Sequence, residues 1–161
     1  MSEIRNKLNK KYDGVAEVSD GMFRVFDKQQ WGFTNDKGEE IVKPQYSDSR
    51  AFHEGFAGVM KDGKWAFIDK SGKVICDFIY DKVRDFSGGL AEVSKWTDGK
   101  ALWGYIDTTG KEVIECKYDS TSPFGNSDIT VVGINNGLIR IDRKGNEANL
   151  SGFYGMFGTD L

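Results

Sequence analysis

Two stretches of this chain are nearly the same phrase: "KWAFIDKSGKVI", Lys64 to Ile75, and "LWGYIDTTGKEVI", Leu102 to Ile114. Outward from them a register emerges. Tyr12, Tyr46 and Tyr80 are spaced by 34 residues, and Tyr118 follows after 38. Trp31, Trp65 and Trp103 keep the same 34 and 38, as do Phe52, Phe86 and Phe124. Gly38, Gly72, Gly110 and Gly145 recur at 34, 38 and 35. Four residue types in one register make the phrase a building unit, with one insertion of four residues in the third copy. The units run 12–45, 46–79, 80–117 and 118–152, with caps at 1–11 and 153–161, as a single repeat domain over 1–161.

The period alone would also suit helical repeats, so the pattern inside a unit has to decide. "GFAGVMKDGKWAFIDKSGKVI", Gly55 to Ile75, has no apolar stripe at helical spacing, and glycine recurs too often for a helix interior. It alternates instead. Ala57 and Val59 point one way, Phe56 and Met60 the other; Trp65 and Phe67 share a face opposite Ala66 and Ile68. Asp62-Gly63 between the two runs is a type I′ hairpin signal. "DKSGK" makes a second reversal, with Gly72 free to take the left-handed conformation. Each unit therefore reads as a meander of three strands, near 56–61, 64–69 and 73–76 in the second copy, followed by a "YDxxxxF" connector. The fold class is all-β, an array of four hairpin-based units forming an open twisted solenoid. A closed propeller-like ring is the alternative, although blades usually carry four strands in about 40–45 residues.

A small residue follows each strand tryptophan: Gly32, Ala66 and Gly104. Glycine inside a strand marks a close approach, here expected from a neighbouring unit's aromatic ring. The tryptophans are expected to be buried between units, so that Trp65→Ala costs about 3–5 kcal/mol.

"KWAFIDKSGK", "LWGYIDTTGK" and "QQWGFTNDKGEEI", each followed by "YD" or "YS" and then phenylalanine, resemble the WG-containing β-repeat of many bacterial proteins. The likeness is specific in the first three units. It fades in the fourth, where Leu138 and Ile139 replace Trp-Gly, and at the start of the first, where Val18 stands at the phenylalanine position. The resemblance implies an all-β repeat with a non-enzymatic interaction role, and supplies no catalytic residues.

Composition narrows the function. A net charge of −3 without a Lys/Arg cluster argues against nucleic acid as a partner. The amino-terminal stretch lacks a signal-peptide apolar run, and no segment approaches the about 20 apolar residues of a membrane span. A cytoplasmic protein with no membrane association is expected. Cys76 and Cys116 lack metal-ligand spacing and align with apolar residues of other copies. His53, the only histidine, reads as a solvated turn residue. Asp69, Asp107 and Asp142 recur just before the turn glycine and read as turn formers, while Arg50 and Arg84 are expected to brace the connector. No catalytic residue, cofactor or metal site is expected.

What breaks the repeat carries more about function. The insertion lengthens the third hairpin to "SKWTDGKALWGY" and adds Trp96, beside Lys95, near its tip. Trp96 either anchors a partner or folds back over the sheet. The tail "SGFYGMFGTDL" is too apolar for a disordered end, and caps the last unit or serves as a docking segment through Tyr154 and Phe157. The favoured function is a non-catalytic binding module presenting a repeated surface to another protein. Carbohydrate or cell-wall polymer binding through exposed repeat aromatics, and sequestration of a small ligand such as a nucleotide, are the alternatives.

Overall fold

The turn residues singled out by the alternation organise every repeat. Asp62-Gly63 and Asp98-Gly99 hold positive φ at both positions (52° and 80°, 50° and 85°), the type I′ geometry that matches strand twist. Lys28-Gln29 and Asn135-Asn136 take the same shape without glycine. The structure, a computed structural model, describes residues 2–150. The chain divides into two compact bodies, Met1–Tyr80 and Asp81–Leu161.

In the first body, helix α1 (Ser2–Lys11) precedes β1 (Gly14–Val15), β2 (Met22–Asp27), β3 (Gln30–Asn35) and β4 (Glu40–Tyr46), which form one sheet in that order. Its second sheet holds β5 (Asp48–Ser49), β6 (Phe56–Lys61) and β7 (Lys64–Asp69). The second body starts with β8 (Lys82–Val83), β9 (Leu90–Thr97), β10 (Lys100–Asp107) and β11 (Glu112–Tyr118), again one sheet. Its other sheet holds β12 (Ile129–Ile134), β13 (Gly137–Asp142) and β14 (Glu147–Ala148). Among the described residues the protein is thus all-β apart from α1, with four antiparallel sheets in sequence, one per repeat. No sheet among the described residues closes on itself.

Strands β6 and β7 lie where the alternation puts them. The connector supplies a further strand position, so the sheets of repeats 1 and 3 have four strands, while those of repeats 2 and 4 keep the expected three, in repeat 2 with β5 in place of a strand at 73–76. That position is β1, β5 or β8, and in the last repeat the Ser120–Gly133 bridge. Two residues are too few to show alternation, so the sequence carries no signal for them.

The glycine after tryptophan also has a different cause from the one expected. Trp31 pairs with Tyr46 and Phe33 with Val42, so two steps along β3 face four along β4. The surplus backbone bulges over Gly32, where a Cβ would stand 2.4 Å from the Val42 carbonyl oxygen and 2.6 Å from the Pro44 nitrogen. Gly104 is in the same position, 2.3 Å from the Ile114 oxygen and 2.7 Å from the Cys116 nitrogen. The repeat's own backbone approaches here, not a neighbour's ring. Ala66 does carry a Cβ, and in that repeat the last strand shrinks to isolated Ile68–Val74 and Trp65–Tyr80 bridges.

The second reversal is built identically four times. Oδ1 of Asp69 accepts the Ser71 and Lys73 N–H groups (2.9 and 3.1 Å), and Oδ1 of Asp107 those of Thr109 and Lys111 (2.9 and 3.2 Å). Asp142 does the same for Lys144 and Asn146, and Asn35 for Lys37 and Glu39. The turn reading of these aspartates therefore holds. Hydrogen bonds, first those from Ser71, Thr109 and Asn146, keep the three carboxyls below the usual range.

Within each body, the face carrying Ala57, Val59 and Ile68 (repeat 2), or Val132 and Ile141 (repeat 4), packs on the preceding repeat. The tryptophan-bearing face receives the next connector. Phe52 meets Phe33 edge-on at 4.8 Å between ring centroids, and Phe124 meets Tyr105 at 5.1 Å. In repeat 1 the corresponding face is covered by α1. Leu8 and Tyr12 pack on Phe23 and Val25, the equivalents of Ala57 and Val59. The turn glycines tell the same story, since a Cβ on Gly72 would strike Val42, one on Gly145 would touch Ile114, and one on Gly38 would press on Ile4 of α1. Register-equivalent hydroxyls add a tie, with Tyr12 donating to Glu40 and Tyr118 to Glu147.

Trp103 is buried, whereas Trp31 and Trp65 are half-buried. Truncating Trp65 is accordingly expected at the low end of the range for large core residues, about 3 kcal/mol.

Two outcomes are expected. Gly104→Ala forces β11 off β10 and lowers stability by about 1–3 kcal/mol in denaturant unfolding; an unchanged midpoint would show that the bulge yields freely. Carboxylates with depressed pKa stabilise the fold above their unfolded value near about 3.9 and lose that contribution as pH falls through the folded value. The triple variant Asp69→Asn, Asp107→Asn, Asp142→Asn keeps the turns, as Asn35 does, so its Tm should fall less than wild type between pH 5 and pH 2. Parallel Tm curves would contradict this.

Candidate functional site

The β9–β10 hairpin is longer than its counterparts, eight residues per strand against six in the β2–β3, β6–β7 and β12–β13 pairs. Its ladder is unbroken from Leu90–Asp107 at the base to Thr97–Lys100 at the tip. Trp96 stands on this extension, 65 % exposed, opposite Ala101. It does not fold back over the sheet.

The base of the hairpin is locked by polar contacts. Trp103, opposite Ser94, lies under the Arg84 guanidinium at 4.2 Å from the ring centroid. Arg84 Nη1 donates to Glu92 Oε1 at 2.9 Å, and Thr121 Oγ1 donates to the same oxygen at 2.7 Å. Those two donors make the burial of the Glu92 carboxylate tolerable. Arg84 thus braces the connector against the hairpin, as the register suggests.

The anchor of the tip is Asp81. Its Oδ2 accepts the Trp96 backbone N–H at 2.6 Å. Equivalent aspartates hold the equivalent N–H elsewhere: Asp13 that of Lys28 and Asp119 that of Asn135. In those repeats the held residue is the first of the turn. In the third repeat it is Trp96, and the extra residues project beyond the clamp. Repeat 2 has Ser47 at this position, whose hydroxyl bonds the Met60 carbonyl instead. The sequence reading treats the "YD" aspartate as part of a connector and misses this clamp. The signal was there, as an acid directly following Tyr12, Tyr80 and Tyr118 in register.

Comparison with protein families matches residues 31–65, 65–100 and 103–137 to the WG containing repeat, more than half of the chain. The chain belongs to the WG-containing repeat family. Each matched segment begins at a strand tryptophan, Trp31, Trp65 or Trp103, and none begins at Leu138. Comparison with curated proteins finds no match.

The remaining candidate residues of this WG-repeat chain fall elsewhere. Lys95 is next to Trp96 but on the opposite face of β9, ion-paired to Glu112 at 2.9 Å. Tyr154 and Phe157 lie outside the described residues. His53 is exposed in a tight turn, its N–H donating to the Phe56 carbonyl. Cys76 and Cys116 are half-buried, and burial raises both thiols, that of Cys116 to about 12. Among the described residues no cluster of three or more His, Cys, Asp or Glu could hold a metal. No helix among them is long and apolar enough to cross a membrane.

Beside the hairpin, Lys100 pairs with Asp119 at 3.0 Å at the edge of a groove of about 610 Å³. Gly133, Asn135 and Leu138 line its far side. The third hairpin therefore offers one flat exposed ring on a clamped backbone, with a groove alongside.

The exposure of Trp96 has an optical consequence. Replacing Trp96 with Phe should move tryptophan emission to shorter wavelength and remove most of the acrylamide-accessible signal, because the other three indoles are buried or half-buried. Unchanged emission would mean that the indole is covered in solution.

Proposed function

We propose that this WG-repeat protein is a non-catalytic binding module that docks another protein through the β9–β10 hairpin, with Trp96 as the anchor. The observation that carries this reading is the 65 % exposure of Trp96 on a backbone whose N–H is fixed by Asp81. Large aromatic side chains dominate binding energy at protein interfaces, and a pre-ordered backbone loses little conformational freedom on docking. The insertion leaves the repeat scaffold untouched and adds contact surface only beyond the clamp, which suits a recognition element.

A protein partner is favoured over a polymer of sugars for a specific reason. Stacking on a glycan needs repeat aromatics exposed in a row, yet Trp31 and Trp103 lie beneath the guanidinium groups of Arg24 and Arg84 at 4.5 and 4.2 Å. Trp65 is half-buried as well.

Affinity capture from a native lysate tests the proposal. Trp96→Ala should weaken retention of the partner by about 2 kcal/mol or more, roughly thirtyfold. Lys95→Ala, on the opposite face, should leave capture essentially intact. Equal capture by wild type and Trp96→Ala would remove the hairpin from the interface.

A further inference from the structure

The four inserted residues lengthen both strands of the third hairpin and so add one outward-facing backbone position to each of its edges. Hydrogen-bonded and non-hydrogen-bonded pairs alternate along the ladder. Thr97 and Lys100 flank the turn, so the next pair, Trp96 and Ala101, points its N–H and C=O groups away from the partner strand. The Trp96 N–H shows that direction, since it reaches outward to Asp81. On the other edge, Ala101 has the place relative to the turn that Trp65 has in repeat 2, and Trp65 exchanges both outward bonds with Tyr80. In repeat 3 the matching tyrosine, Tyr118, pairs two residues deeper, with Trp103. Two more steps of that ladder would set Ser120 against Ala101, but Ser120 leaves to bridge Gly133. Among the described residues, no strand covers the Ala101 edge.

We propose, resting on the docking role of the β9–β10 hairpin, that the partner protein enters as an uncharged extended segment that adds a strand to this edge of β10. One of its residues pairs with Ala101 and places its side chain against the Trp96 indole. The groove of about 610 Å³ lies at this edge, with Lys100 and Ser120 in its wall. It holds a few residues of a single extended chain, whereas the hairpin of a second copy would need far more room. Of the described residues that line it, only Lys100 and Asp119 are charged, and they neutralise each other at 3.0 Å. Ile134 and the 59 % exposed Leu138 add apolar surface, so charge complementarity selects an uncharged, apolar segment. Trp96 and Ala101 are cross-strand neighbours on one face. An added strand lies about 4.8 Å beyond β10, and the Ala101 methyl group alone separates its side chain from the indole. The backbone pair sets the direction and register of the segment, and the ring supplies most of the affinity. The opposite edge is closed to such pairing, because Asp81 already holds the Trp96 N–H.

Amide hydrogen exchange of the full chain tests the edge itself. The Ala101 N–H should exchange roughly tenfold or more faster than that of Leu102, which is paired to Lys95. Equal protection of the two would overturn the proposal. So would Ala101 protection that grows with protein concentration, because a second copy would then occupy the edge. Linear peptides selected on the wild-type protein from a phage-displayed random library test the occupant. Their affinity should fall roughly tenfold or more with Ala101→Pro, which removes the outward N–H at an edge position where proline is tolerated. It should fall similarly when the one peptide residue that faces Ala101 is N-methylated, a change that leaves the protein untouched. Trp96→Ala should weaken the same peptides. Loss with Trp96→Ala but with neither backbone change would keep the hairpin as the docking site and overturn strand addition. A selection that yields no peptide sensitive to Ala101→Pro would overturn it likewise. Loss with Ala101→Pro but not with Trp96→Ala would instead remove the anchor from the docking reading and keep the strand pairing.

Discussion

A repeat sheet of three or four short strands has two apolar faces and cannot cover either one by itself. The ring two residues beyond each strand tryptophan, Phe33 in one body and Tyr105 in the other, is covered by a phenylalanine that belongs to the next repeat. Burying such a ring removes about 150–250 Å² from water, worth roughly 4–6 kcal/mol before chain ordering is subtracted. The edge-on contact adds about 0.5–1.5 kcal/mol beyond the area. Because the partner ring sits in the following repeat, repeats 1 and 3 are each incomplete without the repeat that follows. The helix on the outer face of repeat 1 follows from that dependence.

Polar contacts set the details that apolar packing leaves free. At the inward position two residues along the second strand, repeat 1 has Arg24 and repeat 3 has Glu92. Arg24 donates to the Ser49 carbonyl, while Glu92 accepts from Thr121, and Ser49 and Thr121 are register equivalents. One location is thus filled by opposite charges with matched partners. Lys70 and Arg143 are also register equivalents, here of the same charge but with different acceptors. Lys70 reaches Asp20 at 3.2 Å, and Arg143 reaches the carbonyls of Gly88 and Gly125. These contacts are single-use within an otherwise repeated frame, and they tie each repeat to its own neighbour.

The hairpin insertion makes functional sense only against this frame. Asp81 fixes the backbone at the depth where Asp13 and Asp119 fix theirs, so lengthening the strands displaces nothing below. Trp96 is therefore held out from the sheet by a paired ladder instead of hanging from a flexible loop. Arg84, stacked on Trp103 and bonded to Glu92, stiffens the base. Binding surface and scaffold are separated along one hairpin.

The sequence by itself determined the repeat, the hairpins and the turns, because these are local. An Asp-Gly pair dictates positive φ, strand alternation has a period of two, and an aspartate four residues before a peptide N–H reaches it unaided. It also located the insertion and Trp96, which stand out as departures from register. It did not determine what Gly32 and Gly104 accommodate. Both depend on where surplus backbone from a strand ten or more residues away comes to rest. Nor did it reveal α1 as the cover of the first repeat's outer face, since polar "SEIRNKLNKK" shows its purpose only when Ile4 and Leu8 meet Gly38. Whether Trp96 lay on the sheet or stood clear of it was likewise a tertiary matter, decided by the Asp81 clamp, a contact between residues fifteen apart that no periodicity encodes.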